Sequence, residues 1–112
     1  ARVSETSTLD GAYLTTSGYS HWSDDALLAV KHAGCALRTW GDGYGYALVA
    51  TGRVDAMVDP AVDLYDVAAM PVILAEAGGR FTSVDGREDA GGGSGVATNG
   101  RVHEQLLELL DA

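Results

Sequence analysis

The 112-residue sequence predicts an α/β domain in which a mostly parallel β-sheet is flanked by helices. Short apolar runs that suit strands alternate along the chain with segments that suit helices, and this alternation is typical of sheets joined by helical crossovers. The composition agrees, because 46% hydrophobic and 21% charged residues are typical of a folded domain with its own core. A chain of this length predicts one domain.

The predicted elements follow one another without a repeat or a long linker. The predicted strands cover residues 12–16, 35–39, 54–58, 79–84 and 95–98. The predicted helices cover residues 24–33, 44–51 and 67–77, and a final helix follows residue 99. Residues 85–94 contain four glycines and are predicted to form a flexible loop.

The first helix has clear signals at both ends. Ser23 is a predicted N-cap, and Asp24 and Asp25 lie in the first turn, where the helix dipole favours anions. Lys31 and His32 suit the carboxyl end, and a glycine follows. In the last helix, Asn99 is the predicted cap. Its apolar residues share one helical face: Val102, Leu106, Leu109 and Leu110.

The helix over residues 67–77 is unusual because Glu76 is its only charged residue. We expect a helix that is apolar all round to be buried on all sides. Pro71 removes one hydrogen bond and is expected to kink the helix. Asp66 stands at its head, and the question is whether this aspartate merely caps the helix or is held there for function.

Composition excludes several classes of function. Sixteen acidic and seven basic residues give a net charge of −9, and such a chain repels nucleic-acid phosphates. No apolar run is long enough to span a membrane, no signal peptide is recognised, and the single Cys35 suits a reducing cytoplasm. We therefore expect a cytoplasmic protein that binds neither nucleic acid nor membrane. The histidines His21, His32 and His103 lack metal-ligand spacing and are expected to be surface or capping residues.

Three aspartates are predicted to converge. Asp42 and Asp59 each follow a predicted strand, and Asp66 heads the helix after the third strand. In open α/β sheets, ligands bind outside the carboxyl ends of the strands. The sequence therefore predicts a ligand site at this edge of the sheet.

Two stretches near these aspartates have more than one interpretation. Gly41, Gly43 and Gly45 precede a helix, but Tyr46 stands where the dinucleotide fingerprint requires its third glycine. The turn is either a place where the backbone approaches an anion or a hydroxyl, or a plain tight turn. In "DPAVDLYD", Asp63 or Asp66 is either a helix cap in a solvated loop or, with Asp59, part of a cation-bridged group.

Three stretches resemble one known family. "LYDVAAMPVILAEAGGRFT" (residues 64–82) resembles the second signature of the inositol monophosphatase family, and "RTWGDGYGYALVATGRVDAMVDP" (residues 38–60) resembles the region before it. "ARVSETSTLDGAYLTTS" (residues 1–17) resembles the segment that opens the family's carboxyl-terminal domain. The form of residues 38–60 is typical of the histidinol-phosphate phosphatase branch.

This resemblance implies a Mg²⁺-dependent, Li⁺-sensitive phosphatase of small phosphorylated metabolites, commonly a homodimer, with an α/β/α/β layered sandwich fold. It implies that Asp66 is a catalytic metal ligand that also contacts the substrate. Asp59 would contact a hydroxyl or amino group of the substrate, and the turn formed by Gly41, Asp42 and Gly43 would touch it too.

The sequence departs from the family in two ways. Tyr65 stands where the family has tryptophan, and the first signature with its upstream glutamates is absent. We therefore expect residues 1–112 to be the carboxyl-terminal domain, completed by an amino-terminal half of the same enzyme and inactive or nearly so alone. The expected activity is histidinol-phosphate hydrolysis in histidine biosynthesis. The alternatives are inositol-monophosphatase or fructose-bisphosphatase-like activity, or an inert binding module of the same fold.

Overall fold

The computed structural model describes residues 1–88 and 90–111, so the predicted loop over 85–94 includes one residue outside the described part. The strands are β1 (Tyr13–Thr15), β2 (Ala36–Arg38), β3 (Ala56–Asp59), β4 (Arg80–Thr82) and β5 (Gly95–Thr98). The helices are α1 (Asp24–His32), α2 (Asp42–Ala50), α3 (Leu64–Val67), α4 (Met70–Glu76) and α5 (His103–Leu110), with a short 3₁₀ helix at Ala90–Gly92. Every predicted strand is present, and most are shorter than predicted.

The five strands form one sheet in the order β2-β1-β3-β5-β4. Strand β1 pairs in parallel with β2 and β3, whereas β5 pairs antiparallel with both β3 and β4. Four strands thus point the same way, and β5 alone is reversed. Between β4 and β5 the described chain carries only the short 3₁₀ helix, and a parallel connection needs a longer crossover. The α/β class with flanking helices is confirmed, in the form of a mixed sheet.

Helices cover both faces of the sheet, and β3 shows how the faces are assigned. Ala56 and Val58 belong to the core cluster that includes residues of α1 and α5. Met57 belongs to the opposite cluster, built with residues of α2, α3 and α4. Because side chains alternate along a strand, Asp59 at the end of β3 faces the same side as Met57, toward α2.

The segment before β1 is held against the body of the domain. The Ser4 hydroxyl donates to Asp55 Oδ1 (2.6 Å), and the Tyr13 amide donates to Asp55 Oδ2 (2.7 Å). The Asn99 amide group donates to the carbonyl of Thr6 (2.6 Å). The bonds from Ser4 and Tyr13 satisfy the buried carboxylate of Asp55, which lies just before β3 at the end of the sheet opposite the carboxyl ends of the parallel strands.

The predicted cap of α1 is confirmed, and that of α5 is not. Ser23 Oγ accepts a hydrogen bond from the Ala26 amide (3.1 Å) at the start of α1. Helix α5 starts later than predicted, with Val102 in the N-cap position. Asn99 Oδ1 instead accepts from the Arg101 amide (3.0 Å), which closes a turn before the helix.

The predicted apolar helix over residues 67–77 is wrong as a single helix. The chain forms α3, a break at residues 68–69, and then α4, with Pro71 in the first turn of α4. Proline is tolerated in a first turn, where no intrahelical partner for its missing N–H is required. The proline therefore ends one helix and starts another instead of kinking a continuous one.

The expectation that this helix is buried on all sides is also wrong for these residues. Within residues 67–77, Val72 is 61% exposed and Ile73 43%. Just before this range, Leu64 and Tyr65 in α3 are exposed as well. Only Val67, Leu74 and Ala77 of the stretch are buried, facing the sheet. An apolar composition reports what a helix can bury, but the number of faces that are covered depends on what packs around it.

The three histidines differ in their exposure to solvent. His21 and His32 are exposed, as expected. His103 is fully buried, which contradicts the expectation of a surface or capping residue. Its ring lies between two threonine hydroxyls, Thr82 Oγ1 at 2.8 Å and Thr98 Oγ1 at 2.8 Å.

None of the helices in residues 1–88 and 90–111 has the length and apolar character needed to cross a membrane.

Candidate active site

A cavity of about 400 Å³ opens where the parallel strands end. Ser17 comes from the chain just after β1, Asp42 and Gly43 from the start of α2, and Asp59 from the end of β3. The loop before α3 and the first turn of that helix add Asp63 and Asp66. The other lining residues are Tyr46, Ala61, Val62, Val67 and Gly93. The cavity therefore lies at the predicted edge of the sheet.

Asp59 is the buried carboxylate at the base of this site, with 6% of its surface exposed. Its Oδ1 accepts from the Ser17 amide (2.9 Å). Its Oδ2 accepts from the Ser17 hydroxyl (3.1 Å) and from the Tyr46 hydroxyl (3.1 Å). A carboxylate held by several donors has a fixed orientation, and its negative charge is stabilised without a neighbouring cation.

Tyr46 lies in the middle of α2 and is almost fully buried. Burial strongly raises the pKa of its phenol, and the adjacent negative charge of Asp59 and their hydrogen bond raise the pKa further. The phenol therefore keeps its proton and remains a donor to Asp59. Gly95 makes room for it, since a Cβ there would lie 2.6 Å from the Tyr46 hydroxyl oxygen.

The glycine turn has a different form from the one predicted. Helix α2 begins at Asp42, two residues before the predicted start, so Asp42 and Gly43 belong to its first turn. Asp42 has a φ of 54°, which is uncommon for a residue with a side chain, and its amide donates to Ser17 Oγ (2.9 Å). Gly41 does not line the cavity but packs on Ser17, whose Cα would lie 2.5 Å from an added Cβ.

Asp63 and Asp66 flank the start of α3. Asp63 occupies the N-cap position, but its side chain makes no capping hydrogen bond. The Asp66 amide donates to the Asp63 carbonyl (3.0 Å), which closes the turn, and both carboxylates lie on the cavity wall. The interpretation of these aspartates as side-chain caps is therefore wrong for Asp63, and Asp66 lies within the first turn rather than before it.

The cavity is strongly acidic. Four aspartates line it, and in the described part of the chain no lysine, arginine or histidine does. Carboxylate oxygens are the ligands that Mg²⁺ prefers, so the exposed Asp66 suits a metal ligand. Among residues 1–88 and 90–111, however, no group of three or more His, Cys, Asp or Glu side chains could hold a metal ion.

Two residues of the site were not identified from the sequence. Ser17 follows β1 at the edge of the sheet where the other parallel strands end, and this position in the sequence could have identified it as a site residue. Tyr46 carried no signal, because a tyrosine inside an apolar helix is expected in the core. Of the predicted site residues, the structure brings together Asp42, Gly43, Asp59 and Asp66, and it places Gly41 behind them.

The fold and the cavity define an α/β protein with an acidic cavity at the carboxyl ends of its parallel strands. The sequence profile of the inositol monophosphatase family matches residues 1–112. The chain is 40% identical to a histidinol-phosphatase of Mycobacterium tuberculosis over 98% of its length, and 39% identical to that of Streptomyces coelicolor over 97%. The chain belongs to the inositol monophosphatase family.

Solved structures agree with this assignment. An inositol monophosphatase from Anabaena superposes with a TM-score of 0.82 over 98% of this chain, at 30% identity. The chain spans 44% of the Mycobacterium tuberculosis protein, 42% of the Streptomyces coelicolor protein and 49% of the Anabaena structure. It thus corresponds to less than half of the length of the relatives it matches.

Proposed function

We propose that this chain is the carboxyl-terminal domain of a Mg²⁺-dependent phosphomonoester hydrolase whose substrate is histidinol phosphate, in histidine biosynthesis. The observation that carries the proposal is the cavity in which Asp42, Asp59, Asp63 and Asp66 meet at the edge of the sheet. The similarity to two histidinol-phosphatases over nearly the whole chain supports the choice of substrate.

In this proposal, Asp66 is the metal ligand supplied by these residues and helps to hold the phosphate group in place. A bound Mg²⁺ would supply Lewis-acid chemistry, by lowering the pKa of a water molecule and neutralising charge on phosphate oxygens. Asp66 suits this role because its carboxylate lies on the cavity wall in the first turn of a helix anchored by the buried Val67. The remaining ligands would come from the first signature, which is absent from residues 1–112.

The substrate's amino group distinguishes histidinol phosphate from inositol and sugar phosphates. Histidinol carries an ammonium group at neutral pH, and an acidic cavity whose described lining includes no basic residue favours a cation. Asp59, at the base of the cavity, and Asp42, on its wall, would contact this group. Gly43, next to Asp42, would allow a close approach of the ligand to the backbone, while Gly41 packs against Ser17.

The proposal includes a partner segment. The chain spans less than half of the length of its relatives, and in α3 and α4 it exposes the apolar side chains of Leu64, Tyr65, Val72 and Ile73. We call these four side chains the apolar surface of α3 and α4, and large exposed apolar areas mark interaction sites. We propose that the amino-terminal half of the enzyme covers part of this surface and that the complete enzyme is a cytoplasmic homodimer inhibited by Li⁺.

Two alternatives remain within the same fold. The chain also matches, at 28% identity, a fructose-1,6-bisphosphatase/inositol-1-monophosphatase of Thermotoga maritima, so a hydroxylated substrate is the second candidate. The third is an inert binding module. It is favoured by the incomplete metal-ligand set of the described residues.

Phosphate release tests the proposal. The chain is assayed alone, and again after addition of the amino-terminal half of the Mycobacterium tuberculosis histidinol-phosphatase, with histidinol phosphate, inositol phosphate and fructose bisphosphate as substrates. Each mixture contains Mg²⁺, and the same mixture with a chelator is the blank. We expect activity only in the combined sample, highest with histidinol phosphate and abolished by the chelator.

Three other results would each contradict a part of the proposal. Higher turnover of inositol phosphate or fructose bisphosphate would contradict the substrate and retain the phosphatase. Full activity of the chain alone would contradict the need for a second half. If a single polypeptide that joins the two halves is folded but inactive on all three substrates, the binding module replaces the phosphatase.

A further inference from the structure

Ser17, Tyr46 and Asp59 form a hydrogen-bonded cluster that we call the Asp59 clamp. Ser17 contributes two donors, its amide to Oδ1 and its hydroxyl to Oδ2, and Tyr46 contributes a third to Oδ2. The clamp joins the end of β1, the middle of α2 and the end of β3. It therefore connects three elements at the floor of the cavity.

The clamp also fixes the start of α2. The Ser17 hydroxyl has one hydrogen, which goes to Asp59, and its oxygen accepts from the Asp42 amide (2.9 Å). The Ser17 hydroxyl thus donates one hydrogen bond and accepts another within the site. Asp42 has a positive φ, and the hydrogen bond to Ser17 stabilises the backbone in that conformation.

Counting acceptor positions shows what Asp59 can still bind. A carboxylate has about four acceptor positions, and the three clamp donors fill three of them. Thr16 Oγ1 is 3.5 Å from Oδ1, but its hydrogen is better placed toward the Gly18 carbonyl at 3.0 Å. The hydrogen bonds of the described residues thus leave one acceptor position on Oδ1, on a residue that lines the cavity.

All three clamp donors are neutral, so the buried charge of Asp59 is stabilised but not neutralised. A buried carboxylate is costly unless its charge is compensated, and a cationic ligand group would compensate it. The clamp holds the carboxylate in one orientation before the ligand arrives, which reduces the entropic cost of binding.

We propose that Ser17 and Tyr46 are positioning residues that hold Asp59 so that one fixed acceptor position meets the substrate's ammonium group. This inference rests on the proposed function, because it concerns the same cavity and its cationic substrate. It assigns to these two residues a role that requires no contact with the reacting phosphate. Loss of either hydroxyl is expected to weaken recognition of the amino group and to leave phosphate chemistry nearly unchanged.

The test uses a complete enzyme in which these residues are continuous with the segment carrying the first signature. Ser17→Ala and Tyr46→Phe each remove one hydroxyl of the clamp. The matched controls are Ser4→Ala, which removes the same kind of bond to the buried Asp55, and Tyr19→Phe, which alters a tyrosine outside the cavity. KM and kcat are measured with histidinol phosphate and with glycerol phosphate, which lacks an ammonium group.

For Ser17→Ala and Tyr46→Phe we expect KM for histidinol phosphate to rise about tenfold and kcat to change less than about threefold. KM for glycerol phosphate is expected to stay within about twofold of wild type, and both controls are expected to behave as wild type with both substrates. Ser17→Thr, which keeps the hydroxyl, is expected to have the KM of wild type for histidinol phosphate. A purely structural role would lower thermal stability and affect both substrates alike.

Calorimetric binding of histidinol, which carries the ammonium group and no phosphate, separates this inference from the proposed function. If wild-type enzyme releases no phosphate but Ser17→Ala binds histidinol about tenfold more weakly, the clamp is supported and the phosphatase is not. If wild-type enzyme is active and the clamp variants match Ser4→Ala in KM and in histidinol affinity, the clamp is refuted and the phosphatase stands. Should Ser17→Ala unfold, Tyr46→Phe, which keeps the ring, decides the result.

Discussion

The buried His103 predicts how the stability of this domain depends on pH. Thr82 Oγ1 donates its hydrogen to the Ser83 carbonyl (2.7 Å), so toward His103 Nε2 it can only accept. Thr98 Oγ1 accepts from the Gly100 amide (2.9 Å), and its own hydrogen is available for Nδ1. These partners assign the neutral imidazole with its hydrogen on Nε2, and a second proton on Nδ1 would face a hydroxyl that is already a donor.

The size of the stability loss on acidification follows from the pKa of His103. Burial lowers the pKa of His103 from 6.5 to about 4, the charge of Arg80 lowers it too, and Glu104 opposes the shift. In the unfolded chain the imidazole takes up a proton below pH 6.5, whereas in the folded chain it does so only near pH 4. The unfolded state therefore binds more protons between these values, and stability falls as the pH falls through this window. At 1.36 kcal/mol per pKa unit, the loss is about 3 kcal/mol.

Two measurements check this prediction. Urea unfolding of wild type and of His103→Gln is compared at pH 7.5 and pH 4.5, with His32→Gln as the control on an exposed histidine. We expect His103→Gln to be less stable than wild type at pH 7.5, where it loses a well-packed ring, and to lose about 2–3 kcal/mol less than wild type on acidification. NMR titration of the His103 ring gives its pKa directly. An NMR pKa near 6.5, or equal acid sensitivity of wild type and His103→Gln, would refute the tautomer and the burial argument.

Two further predictions concern the cavity and the helix beside it. In the complete enzyme, Asp66→Asn is expected to lower kcat by a factor of about a hundred or more, because the proposed metal ligand loses its charge. The control is Asp24→Asn, in the first turn of α1. Wild-type turnover by Asp66→Asn would exclude the ligand role. Gly45→Ala is expected to lower the unfolding midpoint in urea, because an added Cβ would lie 2.5 Å from the Met57 sulfur. Gly43→Ala, in the same helix with nothing within 4 Å of the added Cβ, is expected to be neutral or slightly stabilising, and equal effects of the two glycine substitutions would contradict the packing argument.

Some of the candidate site could be predicted because its signals are local. Asp42 and Asp59 follow strands in the sequence, and the carboxyl ends of parallel strands meet at one edge, so their convergence needs only the direction of the strands. Asp66 was singled out by its place before an apolar stretch. For Asp63 the sequence leaves two interpretations open, and the structure shows that its side chain makes no capping bond and that the residue lines the cavity.

The sequence by itself determined the α/β class, the Ser23 cap and, within a few residues, the bounds of most strands and helices, but it did not determine the break between α3 and α4. These features depend on side-chain periodicity and on backbone preferences of neighbouring residues, which act over one or two turns. The tertiary structure alone decided that β5 runs against its neighbours, that His103 is buried, and that Ser17 bonds to Asp59, 42 positions away. Such contacts depend on which strands pair and which faces are covered, and periodicity reports only that a face is apolar.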